Sequence, residues 1–348
     1  MSAMRRHLLQ ILACATLLAV GLAANAAAAG WNDAPKVRAL YQAARREGKV
    51  IIWGTHRREV DWIAAAFGKM FPGIEVEFLG DNDIAVKAIA EARAGRHQVD
   101  VFWHSMTGHL PIVQRDLLVP NDWPLFEVDP RNTGFDGRMG FTSNIVYAIA
   151  YNTKAAKAED VPTDWAGAVD ERFRGKATGS SFLLPRLVGA LGIAWGEDKA
   201  LDFARGLRDR SDILLTRAPR ESLLQSGERI FAFGEIDSQV RSFAADGMPI
   251  GMVVPEPVVM GQFGASVMED APHPNAARLL AGFLASPDGK RARLAVTGQA
   301  DYGPTADNEL ARKIHSGKLQ VVFDSADNMV AREKLFGRAA AILTGQAR

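Results

Sequence analysis

Residues 48–78 read GKVIIWGTHRREVDWIAAAFGKMFPGIEVEF, which joins a short apolar run, an amphipathic stretch and a second run of alternating character. The first run is typical of a buried strand, and the stretch after Gly54 repeats apolar side chains every three or four residues, as a helix does. Pro72-Gly73 ends that helix, and apolar and acidic residues then alternate from Ile74 to Phe78, as in a half-exposed strand. The order strand, helix, strand predicts parallel strands with helices on their faces.

The same alternation continues downstream, with helical periodicity over residues 84–94 and a strand over Asp100–Trp103. In open sheets of this kind, ligands bind outside the carboxyl ends of the strands. Those ends are Gly54–His56 and His104–Thr107, which we expect to face one another across a shared edge. The candidate ligand contacts at this edge are His56, Ser105 and Thr107.

A second alternation follows a surface excursion at residues 120–139 that is rich in Pro, Gly, Asp and Asn. A predicted strand at residues 141–150 leads into it, and Pro255-Glu256-Pro257 follows its last strand. Two prolines around one residue continue neither a helix nor a central strand, so this tripeptide is either a plain loop or the crossover back to the first lobe. A crossover gives two strands between two α/β lobes, which act as a hinge. The predicted helices are 183–195, 199–207, 221–226 and 237–246, and the predicted strands are 213–215, 230–233 and 250–254.

The chain has 348 residues, of which 48% are hydrophobic, with 41 Lys plus Arg against 40 Asp plus Glu. This composition is globular, and the length predicts two domains of roughly 150 residues each. A net charge near zero argues against a nucleic-acid binder, which needs a basic surplus to replace the counterions around phosphates. We therefore expect two globular lobes and no nucleic-acid partner.

The start of the chain has the pattern of a secretory signal peptide. A charged start at Arg5-Arg6 precedes an apolar run over residues 8–24 that ends in small residues suited to cleavage. The alternatives are a membrane anchor, for which the run is barely long enough, and a lipid anchor at Cys14, which lies too early in the run. We predict a signal peptide over residues 1–29 and an exported body without cysteine, in which thiol chemistry and disulfides are impossible.

Five further segments stand in a recognisable order: VDVFW at 99–103, AIAYNTKAAKAEDVPTDW at 148–165, ERFRGKATGSSF at 171–182, LLQSGERIFAF at 223–233 and NAARLLAGFLASPDGKRA at 275–292. Together with GKVIIWGTHRREV they make residues 49–304 resemble the extracellular solute-binding proteins of ABC importers, in the ferric-iron-binding-like branch. The resemblance implies an α/β, two-lobed periplasmic binding protein fold of type II, the venus flytrap, with a mixed sheet flanked by helices in each lobe and two hinge strands. It also implies a monomer in the periplasm, without a cofactor, that delivers a small-molecule ligand to an ABC transporter permease in the inner membrane.

On this resemblance, lobe 1 comprises residues 30–142 and about 256–300, and lobe 2 comprises residues 143–255 and about 301–348. Ferric members of the family hold their metal with a His after the first strand, a Glu after the third strand and paired tyrosines in the second lobe. The flanking motifs align these positions with His56, Ser105 and Asp237-Ser238. A hard Fe(III) ion prefers anionic oxygen donors, which this set largely lacks. The resemblance therefore carries the fold and the transport role to this chain but not the iron, and a ferric-iron or other metal-binding protein is the alternative.

The second lobe offers groups for an anion. The loop Thr178-Gly179-Ser180-Ser181 matches the family's anion-binding loop, and hydroxyls with free N–H groups at a helix start suit phosphate or carboxylate, although an ordinary N-cap has the same pattern. Arg217 follows a predicted strand, where a guanidinium can grip an anion with two parallel hydrogen bonds or remain a solvated charge, and Arg220 is the weaker candidate. The ligand-binding residues predicted in this lobe are Ser180, Ser181, Arg217, Glu235 and Asp237.

Two other kinds of site find little support. His56, His104 and His109 invite a metal site, but no tight ligand motif accompanies them, and His104 and Ser105 point to opposite faces if their strand continues. The chain has no G-x-S-x-G elbow, P-loop or G-x-G-x-x-G, so an exported serine hydrolase is the less favoured alternative. We predict a periplasmic substrate-binding component of an ABC importer, not an enzyme, that captures a small anionic organic solute, phosphorylated or carboxylated.

Overall fold

The computed structural model of the chain describes residues 30–54, 61–80 and 84–347. The predicted signal peptide at residues 1–29 and the candidate ligand residue His56 lie outside the described residues. The helices, numbered along the chain, are α1 (Pro35–Glu47), α2 (Asp61–Met70), α3 (Ile84–Arg93), α4 (Met106–Val113), α5 (Leu183–Trp195), α6 (Glu197–Asp209), α7 (Arg220–Ser226), α8 (Asp237–Ala245), α9 (Pro274–Ala285), α10 (Pro287–Thr297), α11 (Glu309–His315) and α12 (Ala326–Leu343). The strands are β1 (Lys49–Gly54), β2 (Glu75–Gly80), β3 (Val101–Ser105), β4 (Leu118–Val119), β5 (Thr133–Gly134), β6 (Met139–Asn152), β7 (Ala177–Ser180), β8 (Leu214–Thr216), β9 (Phe231–Ile236), β10 (Ile250–Val253), β11 (Val258–Met268) and β12 (Val321–Val322).

Local sequence signals set the element boundaries. Pro35 opens α1, where its missing N–H is not needed, and Gly48 ends the helix in the left-handed region with φ 78°, which turns the chain directly into β1. At the other end of the chain, the Ser286 hydroxyl accepts the Gly289 N–H at 3.1 Å and caps α10, which again begins with a proline. These caps let helices and strands follow one another with almost no loop.

The strands form one path in the order β2-β1-β3-β11-β6-β9-β7-β8. Within this path β6 and β11 are the long strands, and they pair antiparallel from Gly140 to Val146 of β6. From Tyr147 onwards β6 pairs instead with β9, and its last residues also pair with β10. Two strands therefore run between two lobes, and the predicted fold class, a two-lobed type II arrangement with two hinge strands, is confirmed.

Each lobe has its own hydrophobic core. Trp103 on β3 packs in the first core with Phe67 and Phe283 from flanking helices, and Phe233 on β9 packs in the second core with Leu187. Burying side chains of this size contributes about 1.5 to 3 kcal/mol each, so both cores contribute to stability. The exact lobe boundaries given above stay a proposal.

The crossover after β10 leads straight into β11. Glu256 bridges to Asp164, and the Trp165 indole donates to the carbonyl oxygen of Pro257 at 3.0 Å, so the segment is fastened to the second lobe before the chain enters the hinge. The predicted strand at Asp100–Trp103 is longer than expected, because antiparallel pairing with β11 carries β3 on to Ser105.

The carboxyl-terminal helix α12 packs on α5 and α6 of the second lobe. Near its start, Met329 is buried in a cluster with Met106, Met139 and Phe141, which belong to the first lobe. An apolar contact therefore crosses between the lobes beside the hinge. Among the described residues, none of the helices has the length and apolar character needed to span a bilayer.

Candidate ligand-binding site

Three parallel strands of the second lobe end side by side. The register of β7 with β8 places Ser180 opposite Thr216, and continuing the register of β7 with β9 puts Glu235 level with Ser181. Neighbouring strands lie about 4.8 Å apart, so their polar ends come within reach of one small molecule. We call this set the second-lobe edge: Ser180, Ser181, Thr216, Arg217, Arg220 and Glu235.

The serine loop of this edge is already hydrogen-bonded to itself. The Ser180 oxygen accepts the N–H groups of Phe182 and Leu183 at 3.2 and 3.0 Å, and the Ser181 N–H donates to the Thr216 carbonyl at 3.1 Å. The expectation of free N–H groups at the start of α5 is therefore wrong for these three residues, because the chain caps its own helix. A hydroxyl has one proton to donate besides its lone pairs, so Ser180, although buried, keeps a donor for a ligand.

The two arginines of the edge differ sharply. Arg217 is exposed and makes neither a hydrogen bond nor an ion pair with the described residues. Arg220 opens α7, and its Nε and Nη2 groups donate to the two carboxylate oxygens of Glu235, the second contact measuring 3.0 Å. The side chains of Arg220 and Glu235 are only 14% and 7% exposed, so this is a buried, two-pronged ion pair at the strand ends. The sequence pattern favours Arg217, whereas in the structure Arg220 is the arginine held by a partner.

Asp237, two residues beyond Glu235, contacts the hinge and Tyr302 rather than Arg220. Its carboxylate is fully buried and accepts the Val146 N–H of hinge strand β6 at 3.0 Å and the Tyr302 hydroxyl at 2.6 Å, and it also pairs with Arg241. Burial, together with the Asp237 carboxylate, raises the pKa of the Tyr302 hydroxyl, which keeps it a donor. The Tyr302 N–H in turn donates to the Asn144 side chain at 2.8 Å. Asp237 therefore joins the hinge to the segment around Tyr302.

The carboxyl end of β3 carries the polar set of the first lobe, which we call the first-lobe edge: His104, Ser105, Thr107 and His109. Ser105 caps α4 by accepting the Gly108 N–H at 3.3 Å, and its oxygen lies 3.0 Å from His104 Nδ1. His109 is fully buried beside Phe102, with Nδ1 3.0 Å from the Ser105 carbonyl oxygen. Burial lowers the pKa of His109 to about 3, so its ring is neutral. Thr107 is half-buried in the first turn of α4.

The sequence profile of the bacterial extracellular solute-binding proteins matches residues 62–313 of this chain. The chain belongs to this family. Solute-binding proteins of this kind bind a small molecule and work with the permease of an ABC transporter. They act outside the inner membrane.

Solved structures of other solute-binding proteins have the same fold. Iron-bound HitA from Pseudomonas aeruginosa aligns over 84% of this chain and 99% of its own, with a TM-score of 0.72 and 18% identity. The substrate-binding protein of an ABC transporter from Agrobacterium tumefaciens aligns over 85% and 94%, with a TM-score of 0.69 and 17% identity. AfuA from Actinobacillus pleuropneumoniae, with exogenous fructose-6-phosphate bound, aligns over 85% and 98%, with a TM-score of 0.66 and 19% identity. None of the curated proteins matches the chain.

The positions that align with ferric ligands do not form a metal site among the described residues, where no three His, Cys, Asp or Glu side chains come together. Ser105 caps a helix, and Asp237 is engaged with the hinge and Tyr302. At Ser238 the chain has a buried hydroxyl rather than a phenol. His56, the fourth position, lies outside the described residues.

A cavity of about 1560 Å³ lies elsewhere in the described chain, and none of the predicted site residues lines it. It is lined by both lobes and by the segment around Tyr302, and the charged residues along it include Lys290 and Asp301, which pair at 2.9 Å. Sequence reasoning missed this cavity because its walls come from segments more than a hundred residues apart, which no local pattern brings together.

Proposed function

We propose that this solute-binding protein captures a small anionic organic solute, carrying phosphate or carboxylate, on its second-lobe edge. The observation that carries the proposal is that Ser180, Arg217 and the Arg220–Glu235 pair lie at or just after the ends of three adjacent parallel strands. Charge-assisted hydrogen bonds from arginine contribute about 1.5 to 3 kcal/mol each, so a few of them with apolar enclosure are enough for micromolar binding.

The mechanism that we propose is closure of the two lobes over the solute. In the open conformation the solute binds to one lobe. Contacts from the other lobe form only when the hinge strands β6 and β11 bend. A ligand drives such a closure only by its higher affinity for the closed form. The first-lobe edge, together with the segment that contains His56, supplies the closing contacts. The solute is then delivered, unmodified, to the permease of an ABC importer in the inner membrane, with the monomeric protein acting in the periplasm.

An iron cargo has less support. HitA is an iron-bound neighbour, but the likeness at 18% identity carries the fold alone. At the two tyrosine positions of the ferric members this chain has Asp237 and Ser238. The Asp237 carboxylate already accepts the Val146 N–H of the hinge and the Tyr302 hydroxyl. Fe(III) prefers anionic oxygen donors, and the second-lobe edge offers one carboxylate, which is already paired with Arg220.

Thermal-shift and calorimetric titration of the purified protein test the proposal. The probes are inorganic phosphate, citrate, fructose 6-phosphate and, as the neutral counterpart, fructose. We expect at least one anion to raise the melting temperature and to bind with a micromolar dissociation constant, because a ligand of the native state stabilises it. Ferric chloride with bicarbonate is the comparison, and a coloured iron complex with no response to any of the anions would refute the proposal. Turnover of an ester or phosphoester that is lost in Ser180→Ala would favour a hydrolase instead.

A further inference from the structure

The buried pair Arg220–Glu235 has an unusual place for an ion pair. It lies at the ends of strands β8 and β9 rather than between helices, with both side chains largely removed from water. Burying two charges costs several kcal/mol per ion, which their attraction offsets only with good geometry, so a buried pair is weak evidence for a purely stabilising role. The position of this pair at the strand ends therefore suggests a functional role.

The geometry leaves part of the guanidinium unused. Glu235 takes the edge formed by Nε and Nη2, and the Nη1 group of Arg220 makes no hydrogen bond with the described residues. A guanidinium has five N–H donors in a rigid fork, so one carboxylate on one edge leaves the other edge open to a second anion. Glu235 thus holds the fork still while its outer donors remain available.

The two arginines differ in what they lose on binding. Arg217 is exposed and unpaired within the described chain, so it must give up most of its rotamer freedom to hold a ligand. Ordering a long side chain costs about 0.5 to 1.5 kcal/mol, and a group that is already fixed avoids this cost. Ser180, whose proton is free to donate, is on the strand between those that lead to the two partners of the pair.

We propose that Arg220, held in place by Glu235, is the residue that grips the anionic group of the solute, and that Arg217 contributes only long-range attraction. The proposal rests on the function proposed above and names the contact that gives it specificity. The shared chemistry is a tetrahedral or planar oxyanion, and phosphate and citrate are the two probes that separate phosphorylated from carboxylated solutes.

The test compares a change that keeps the net charge of the edge with one that lowers it by a single charge. Arg220→Gln combined with Glu235→Gln removes one positive and one negative charge, so the net charge of the edge stays the same while the fork disappears. Arg217→Gln removes one positive charge and leaves the fork intact. The double change also avoids leaving Glu235 buried and unpaired, so both variants are expected to fold, which circular dichroism melting verifies.

We expect the double variant to bind phosphate, citrate or fructose 6-phosphate at least 30-fold more weakly than the unaltered protein, whichever of them that protein binds. Arg217→Gln should weaken binding less than threefold at 150 mM salt and reduce the dependence of affinity on salt, because a distant exposed charge is screened. The matched control is Arg96→Gln with Glu91→Gln, another two-pronged Arg–Glu pair, which lies at the end of α3 and should leave affinity unchanged.

Three results would overturn the inference in distinguishable ways. If the unaltered protein binds one of the anions and the double variant binds it equally well, Arg220 is not the grip, while the proposed function stands. If the unaltered protein and all variants bind none of the anions, the proposed function fails and the inference fails with it. Binding that Arg217→Gln abolishes and the double variant keeps would assign the grip to Arg217.

Discussion

The two lobes end their central strands with polar side chains, but they use them differently. On the first-lobe edge Ser105 caps α4, His109 is buried against Phe102, and their polar contacts are made with one another. On the second-lobe edge the Ser180 oxygen also accepts N–H groups where a helix begins, yet Arg217 makes no bond with the described residues and Arg220 keeps an unused Nη1 group. At the strand ends, Ser105 and His109 therefore make contacts within the first lobe, although the Thr107 side chain makes no hydrogen bond with the described residues, whereas the second lobe keeps guanidinium donors.

This difference indicates that strand-end location alone does not make a binding residue. Whether a polar side chain can meet a ligand depends on whether its own chain has already used its donors and acceptors. By that criterion we place the proposed anion on the second lobe and propose that the first lobe contributes mainly shape and closure. Changes at Asp237, at His109 and at the two strand-end serines test this division.

A change at Asp237 tests whether the second-lobe edge extends to this residue. Replacing it in Asp237→Ala leaves the Val146 N–H and the Tyr302 hydroxyl buried without their acceptor. Each unsatisfied buried group costs about 1 to 3 kcal/mol, so we expect the free energy of unfolding to fall by roughly 2 to 5 kcal/mol in urea titrations. At 10 °C, where the variant remains folded, affinity for the anion should stay within threefold, because Asp237 faces the hinge.

The control for this change is Asp307→Ala, whose carboxylate is 94% exposed and pairs with Arg312 at the surface. Surface pairs contribute little, so this variant should melt like the unaltered protein. Unchanged stability with lost binding in Asp237→Ala would move Asp237 from the hinge to the ligand site and extend the second-lobe edge.

His109 tests the statement that the first-lobe edge is closed. Its pKa of about 3 in the folded protein is below the ordinary value of 6.5, so the unfolded chain binds a proton that the folded chain rejects between these two pH values. Stability is therefore lost as the pH falls through that window, by roughly 2 to 3 kcal/mol between pH 7 and pH 4.5 from this residue alone. Urea midpoints measured at both pH values report it.

In His109→Gln the side chain is neutral at every pH, so the acid-dependent loss should shrink by that amount. His97→Gln is the control, because His97 is at the surface, where it lies 3.5 Å from Asp270. If His109→Gln and the unaltered protein lose the same stability on acidification, the His109 ring is open to water, and the first-lobe edge is not closed.

Much of the fold could be predicted because local periodicity decides it. The alternation from Ile74 to Phe78 gave β2, and Pro255-Glu256-Pro257 correctly marked the return to the hinge. The length of β3 could not be predicted from the local sequence. Pairing with β11, more than 150 residues later in the chain, extends β3 to Ser105.

The site was less predictable because side-chain partners come from distant segments. A helix start and the family's loop pointed to Ser180, and strand ends pointed to Arg217 and Glu235, but spacing cannot tell which arginine pairs with a carboxylate. Pairing of Arg220 with Glu235, fifteen residues away, depends on β8 and β9 ending together. The bond between Asp237 and Tyr302 spans 65 residues and leaves no signal in either local sequence.

The smallest expected effects come from the two capping serines, which make a matched pair across the lobes. Ser105 accepts one N–H at the start of α4, and Ser180 accepts two near the start of α5. Losing a cap costs about 1 kcal/mol, so Ser105→Ala and Ser180→Ala should both lower the free energy of unfolding by roughly that amount. Urea titration of the two variants measures this shared loss in the free energy of unfolding.

Binding should separate the two variants that stability does not. Ser180→Ala also removes a hydroxyl proton from the same edge as Arg220. A hydrogen bond to a charged ligand contributes about 1.5 to 3 kcal/mol, so we expect the dissociation constant of the anion to rise tenfold or more. Ser105→Ala should leave that constant within twofold, because its hydroxyl is committed to its own helix and to His104. Equal losses of affinity in both variants would show that the two edges share the ligand evenly, and the division between an anion-gripping lobe and a closing lobe would have to be abandoned.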